Sequence, residues 1–314
     1  MAISLTDLQK DFINLRFGTF IHFNSATFQF NKGEITDWEY GHENGGDPRR
    51  FPFCEKDWNP TDLDCRQWAA IAKSAGCRYA ALTTKHHEGF ALWPTAYSEH
   101  CVRNASLTTD VVAEYLSAFR EAGIEAGLYF SILDLTAGIG RKSCTSQQKE
   151  LIKGQITELL TRYGRIPFLI VDGWDAGWGG PTYDMLPFQE LDSLVKSLQP
   201  HCLLMNIGCT QNNGNTDIPV FENAAGQELE DSFRGPGLLC NKLTRTWFWR
   251  HDDPQTPVTS ASHVLEKTDE YFARNVNFLI NLSPNTQGKI DDNLAAEFAE
   301  IGKRITFPAP VDSF

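Results

Sequence analysis

An all-parallel α/β fold of eight strands, the (β/α)8 barrel, is what this sequence predicts, and three observations lead there. Short apolar runs alternate with helical patterns along the 314 residues, and the runs number eight. No G-x-G-x-x-G loop follows the first of them. That absence disfavours the doubly wound open sheet, the rival fold with the same rhythm.

The elements follow in order. Residues 17–23 read as the first strand, and a long irregular stretch rich in Gly, Pro and aromatics comes after it. Residues 63–75 have helical spacing (Trp68, Ala69, Ile71, Ala72) and stop at Gly76. The apolar run 79–82 is a buried strand leading into Lys85-His86-His87-Glu88. A helix over 111–122 closes at Gly123, a strand spans 126–132, and a helix over 148–163 ends at Gly164. Strand 168–172, helix 187–198, strand 202–207 and strand 218–223 continue the alternation. The short, polar stretch 228–237 is the weakest helix. Residues 244–250, rich in tryptophan, read as strand seven. Helix 259–274, strand 275–282 and helix 293–305 complete the pattern before Pro308-Ala309-Pro310. With no repeat, low-complexity segment or linker before residue 308, one domain over 1–314 is expected, its short tail beginning at about 308.

Composition narrows the function classes. A net charge of -12 without any Lys/Arg run argues against a nucleic-acid partner and favours a neutral substrate over a polyanion. No stretch approaches the ~20 apolar residues of a membrane span, so no membrane partner is expected. The start, MAISLTDLQKDF, has no basic flank followed by an apolar run, so no signal peptide is visible. A cytoplasmic protein is expected on that basis, or a secreted or periplasmic one if a leader has been removed. The eight cysteines show neither a C-x-x-C pair nor zinc-like spacing and are read as mostly free, which fits a reducing compartment.

In a barrel the chemistry collects at the C-terminal ends of the strands. Those ends carry His22, His86 and His87, Tyr129, Asp172, Asn206, Glu222 with Asn223, and Trp247 with Trp249. Polar and aromatic residues after apolar strand interiors are what a sugar site needs: hydroxyls demand hydrogen-bond partners, and the C–H faces of a pyranose pack on rings. Asp172 ends an apolar run and precedes Gly173-Trp174; its rival role is capping the next helix. Glu222 is its natural partner, since two carboxylates flanking one bond are the apparatus of glycoside hydrolysis. Glu228 and Glu230 follow closely enough to compete for that role. A metal-dependent amidohydrolase-type site built on His22, His86, His87 and Asp172 is disfavoured. The first strand offers one histidine, and adjacent residues such as His86 and His87 point apart on an extended strand.

These residues fall in segments that resemble the α-L-fucosidases of glycoside hydrolase family 29. The matching pieces are Arg16-Phe17-Gly18-Thr19-Phe20-Ile21-His22-Phe23, Trp58-Asn59-Pro60 through Trp68, and Leu82-Thr83-Thr84-Lys85-His86-His87-Glu88-Gly89-Phe90 with Leu92-Trp93. Gly127-Leu128-Tyr129-Phe130-Ser131, Tyr163-Gly164 into Val171-Asp172-Gly173, and Asn277 through Asn285 extend the match in family order. Glu39-Tyr40-Gly41 and Trp247-Phe248-Trp249 are nearer in spacing to the branch that prefers α-1,3/1,4-linked fucosides. The resemblance implies a retaining exo-α-L-fucosidase acting on fucosylated glycans without cofactor or metal. It implies that Asp172 is the nucleophile and that His22, His86 and His87 hold the fucose hydroxyls. Tyr129 would lie beside the reacting sugar, Trp247 against its methyl group, and Trp38 with Glu39 would fill the place of the family's Glu-Trp pair.

Two departures bear on this. The family's branched-linkage members carry their acid/base glutamate in an Asn-Glu-Ala/Ser-Gly setting, whereas this chain reads Phe221-Glu222-Asn223-Ala224-Ala225-Gly226. The glutamate stands two places earlier, which on a strand keeps the same face. The C-terminal β-sandwich of many members is also not expected here. A non-catalytic fucose-binding barrel is therefore the alternative to the enzyme, and a metal hydrolase the third reading.

Overall fold

The computed structural model describes residues 4–29, 53–176, 179–207, 214–222 and 228–313. Eight parallel strands close into a barrel in sequence order: β1 (Phe17–Ile21), β2 (Tyr79–Lys85), β3 (Glu125–Ser131), β4 (Phe168–Asp172), β5 (Leu203–Ile207), β6 (Pro219–Phe221), β7 (Gly237–Asn241) and β8 (Val276–Asn281). Strand β8 pairs back onto β1, so the sheet has no edge. Helix α1 (Leu5–Ile13) precedes β1, and α2 (Ser25–Gln29) and α3 (Cys65–Ser74) lie between β1 and β2. The others are α4 (Val111–Glu121), α5 (Ser146–Arg162), α6 (Phe188–Leu198), α7 (Ala261–Ala273) and α8 (Asp292–Arg304).

Local chemistry explains the helix boundaries. Asp64, Asp110 and Ser260 accept hydrogen bonds from backbone N–H groups in the first turns of α3, α4 and α7. Thr145 and Gln148 form a reciprocal capping box at the start of α5. Gly76, Gly123 and Gly164, after α3, α4 and α5, take φ of 81°, 75° and 71°, the left-handed exit that glycine makes without steric cost.

Alternation along the strands sorts the apolar residues into two cores. Phe17, Ile21, Ala80, Leu82, Leu128 and Val171 face the helices, while Phe20, Tyr79, Tyr129, Phe168, Ile170 and Met205 fill the barrel. Large rings in the barrel need small neighbours. A Cβ on Gly18 would meet the Tyr79 ring at 2.6 Å, and one on Gly127 would meet Phe168 at 2.2 Å. Helix α1 plugs the N-terminal end: Phe12 packs at 5.1 Å from Tyr79 and 5.4 Å from Phe168. Its carbonyl accepts the Asn277 amide at 2.7 Å. The sequence reading passes over α1, although Leu5, Leu8, Phe12 and Ile13 recur at helical spacing behind the N-capping Ser4.

The seventh strand requires a correction. It is Gly237–Asn241; residues 244–250 form an irregular segment over the barrel mouth, and the expected helix over 228–237 is a turn-rich stretch. Leu238 and Cys240 face inward and Leu239 outward, the alternation a paired strand needs. The aromatic content of 244–250 reflects how the mouth is covered instead: Trp247 and Phe248 close the top of the inner core. Trp249 donates to Asp291 at 2.5 Å, and Arg245 pairs with Asp252. Among the described residues seven cysteines are free thiols, and no helix is long and apolar enough to cross a membrane.

Candidate active site

The inward parity of the strands delivers the site. His22 comes two residues after the inward Phe20, Asp172 two after Ile170, Glu222 two after Val220 and Asn281 two after Leu279. Tyr129 is itself inward, and Ser131 follows at the same parity. Each of these five strands, β1, β3, β4, β6 and β8, therefore ends its run of apolar inward residues with a polar one at the mouth.

Asp172 is buried, with both carboxylate oxygens occupied. Tyr129 donates its hydroxyl to Oδ2 at 2.7 Å, and the Gly173 N–H donates to Oδ1 at 2.6 Å. Gly173 has φ of 63°, a left-handed conformation that glycine adopts without steric cost. Burial pushes the Asp172 carboxyl up to about 6, with the Tyr129 and Gly173 hydrogen bonds opposing the shift.

Partners fix the ring nitrogens of two histidines. Asn281 donates its amide N–H to the Trp247 carbonyl at 2.6 Å, so its oxygen, 2.8 Å from His22 Nδ1, must accept. His22 thus carries hydrogen on Nδ1, and burial pushes it down to about 3, leaving the neutral ring with a bare Nε2. Ser131 commits its hydroxyl hydrogen to the Leu133 carbonyl at 2.6 Å and therefore accepts from His87 Nδ1 at 2.7 Å. His87 Nε2 then faces Asp172 Oδ2 at 3.6 Å.

Rings complete the wall. His86 stacks on Tyr129 (5.7 Å, 13°), meets Phe248 edge-on at 4.9 Å and lies 4.1 Å from His87. His22 stacks on Trp247 (4.7 Å, 28°). Trp247 Nε1 donates to Glu222 Oε1 at 2.9 Å, and Glu222 is half-buried. Burial pushes the Cys240 thiol well up, and the Glu222 and Asp172 carboxylates both add to that shift, so the two acids bear on one point of the barrel. Glu228 and Glu230 are exposed on the turn before β7.

The model of the family described as Alpha-L-fucosidase matches residues 2–307. The chain belongs to the alpha-L-fucosidase family. Alpha-L-fucosidase 1 of Arabidopsis thaliana is 33% identical over 314 residues, a match covering 91% of this chain and 58% of that protein. Human tissue alpha-L-fucosidase is 25% identical, with 93% of this chain and 66% of that one covered. This chain thus spans little more than half the length of its Arabidopsis relative. A glycoside hydrolase 29 family member from an unknown rumen bacterium superposes with a TM-score of 0.75 at 25% identity, over 95% of this chain and 56% of the other. The same fold recurs in a Bacteroides thetaiotaomicron alpha-L-fucosidase, described as a trapped covalent intermediate (TM-score 0.77, 23% identity, 94% and 73% covered).

Of the residues that the sequence picks out for a fucosidase-family site, the structure brings His22, His86, His87, Tyr129, Asp172, Glu222 and Trp247 together. Trp38 and Glu39 lie outside the described residues. Asn206 faces away and donates to the Tyr183 hydroxyl at 2.6 Å, while Trp249 turns to Asp291. The expectation that His86 and His87 point apart is overturned. The β2–β3 register slips between Thr83 and Lys85, β2 ends at Lys85, and both rings lie in the turn beyond it. Ligand atoms of His86, His87 and Asp172 accordingly come within 4.8 Å of one another, a donor set able to hold a metal ion. Lys85 leaves the site altogether: its ammonium donates to Asp134 (2.8 Å) and Gln155 (3.1 Å) over the Phe130 ring. Asn281 and Ser131 escaped notice as functional residues, although counting by twos from Leu279 and Tyr129 reaches both.

Proposed function

We propose that this chain is a retaining exo-α-L-fucosidase that removes terminal α-L-fucose from oligosaccharides or glycoconjugates. The observation that carries the reading is the Asp172 carboxylate at the barrel mouth, desolvated and held by Tyr129 and Gly173 beside two imidazoles. Asp172 Oδ attacks the anomeric carbon and the glycosidic bond breaks, its electron pair leaving with an oxygen that Glu222 protonates. Glu222, now a carboxylate, takes a proton from water; the hydroxide formed attacks the same carbon and expels Asp172. Fucose leaves with its anomeric configuration retained. The bare Nε2 of His22 accepts a hydrogen bond from a sugar hydroxyl, and the Trp247 ring offers an apolar face to the methyl group.

The test is hydrolysis of an aryl α-L-fucoside, with the first-formed anomer followed by NMR. Asp172→Ala should be almost inactive; retention of more than about a tenth of kcat, a slowing of under ~1.4 kcal/mol, overturns the nucleophile assignment. Glu222→Ala should cripple natural glycosides, spare the aryl fucoside, and give α-fucosyl azide when azide is added, because azide takes the place of water on the fucosyl-enzyme. Azide rescue in Glu228→Ala or Glu230→Ala instead would move the acid/base to that turn. The clustered ligand atoms of His86, His87 and Asp172 favour a second reading, a metal hydrolase. Loss of activity to a chelator, restored by a divalent ion, would establish it; on the fucosidase reading the chelator does nothing.

A further inference from the structure

Behind the site lies a second cluster of titratable groups. His100, 7% exposed, has Nε2 at 2.6 Å from Glu88 Oε1 and Nδ1 at 2.5 Å from Glu55 Oε1. A carboxylate only accepts hydrogen bonds, and a neutral imidazole has one N–H to give. Two carboxylates on the two nitrogens therefore call for an imidazolium. The rings of Phe53 and Phe90 stand edge-on at 6.2 and 5.3 Å, Glu88 is buried, and Glu55 stays partly open to solvent.

Glu88 belongs to the turn that carries the site's histidines, and Glu55 to a separate turn. Glu88 directly follows His87, and its Oε2 accepts the Phe90 N–H at 3.1 Å. Its Oε1 and its carbonyl both accept the Thr136 hydroxyl, at 3.2 and 2.7 Å. The same turn is closed by the Gly89 N–H donating to the His86 carbonyl at 3.0 Å. Glu55 sits in the 3-10 turn Glu55–Asp57, which follows residues 30–52 and so the stretch carrying Trp38 and Glu39. We propose that His100 is a positioning residue for the sugar-binding histidines: as an imidazolium between Glu88 and Glu55, it ties the His86-His87 turn to the 3-10 turn Glu55–Asp57.

Burial alone pushes His100 down, but Glu88 and then Glu55 outweigh it and hold the ring at about 9. Among the described residues no other charge competes for it. Lys56 lies beside Glu55, Arg103 and Glu99 on His100's own segment pair with each other at 3.0 Å, and Asp134 behind the turn is taken by Lys85. Above about pH 9 the ring loses one N–H and one side of the clamp opens.

The inference rests on the fucosidase reading, and its test separates the two. KM and kcat for an aryl α-L-fucoside are measured from pH 6 to 10 in the wild type, Glu55→Gln and His100→Phe. In the wild type KM should rise as pH passes about 9, with kcat less affected. In Glu55→Gln that rise should begin about one unit lower, because one of the two carboxylates holding the proton is gone. His100→Phe should show the raised KM at every pH. Wild-type and Glu55→Gln profiles that coincide, or a His100→Phe enzyme with lowered Tm and unchanged KM, overturn the proposal. A wild type that releases no fucose removes the fucosidase reading instead. The clamp is then judged by hydrogen exchange at Gly89 and Phe90: at least about tenfold faster in His100→Phe supports it, and unchanged exchange overturns it.

Discussion

Replacing Tyr129 with phenylalanine takes one hydroxyl from the site and leaves the ring on Phe20 and His86, 5.5 and 5.7 Å away. Asp172 Oδ2 loses its donor at 2.7 Å. A hydrogen bond to an ionised group contributes about 1.5–3 kcal/mol, and one unit of pKa corresponds to about 1.36 kcal/mol. That bond lowers the Asp172 value, so its loss raises a carboxyl already near 6 by about one to two units. The nucleophile must be ionised to attack, and the acid limb of kcat/KM should therefore shift toward higher pH. At pH 5.5 the variant should fall about eight- to eightyfold below the wild type, and near pH 9 the two should converge to within a few fold. Initial rates on an aryl α-L-fucoside from pH 4 to 9.5 give both limbs. A loss of the same size at every pH, with the limb unmoved, would refute the reasoning and assign the hydroxyl to the sugar rather than to the carboxylate.

Asp172→Asn should be more stable than the wild type at neutral pH. The folded value near 6 lies above the unfolded 3.8, so the wild type loses stability as pH rises between them, up to about 3 kcal/mol above pH 6. Denaturant midpoints at pH 7.5 should favour the variant and those at pH 3.5 should not; equal midpoints at both would count against a desolvated carboxylate. Trp247→Phe removes the donor to Glu222 while keeping a ring on His22. Turnover of an unactivated glycoside should drop about tenfold, with a smaller loss on an aryl fucoside; equal losses on both would detach Trp247 from the acid/base. Gly127→Ala forces a methyl into the Phe168 ring, which Phe12 and Tyr79 already enclose, and should cost about 1–3 kcal/mol in urea unfolding. Recovery on adding Phe168→Leu would confirm the clash as the cause.

The barrel was legible because its signals are local and repeated. Apolar runs of strand length and glycine exits after helices each report a boundary without reference to the rest of the chain. Strand seven was misread where that logic fails. The aromatic residues around Trp247 pack for tertiary reasons, over the mouth, while the true strand Gly237–Asn241 offers one short apolar run behind Pro236. Asp172 and the histidines were visible because polar groups after buried strands are costly unless used. Their orientation was not. The turn of both His86 and His87 into one pocket depends on a register slip with β3, and the outward path of Lys85 depends on Asp134 and Gln155, 49 and 70 residues away. No spacing rule encodes partners at that distance.

Glu222 stands two residues after the inward Val220 and so keeps the inward parity at the barrel mouth. Trp247 gives the Glu222 carboxylate an N–H at 2.9 Å, delivered from the segment that covers the mouth. The tryptophan is in turn fixed by Asn281, which holds its carbonyl with the amide nitrogen and orients His22 with the amide oxygen. One buried amide thus sets both the hydrogen-bonding face shown to the sugar and the donor shown to the acid. The nucleophile answers to a separate set, Tyr129, Gly173 and the His87–Ser131 pair. Tyr129 also stacks on His86, and Phe20 lies against both Tyr129 and His22, so packing rather than hydrogen bonding joins the two halves. Changes at Asn281 should therefore reach sugar binding and leaving-group protonation together, while changes at Ser131 act on the nucleophile side alone.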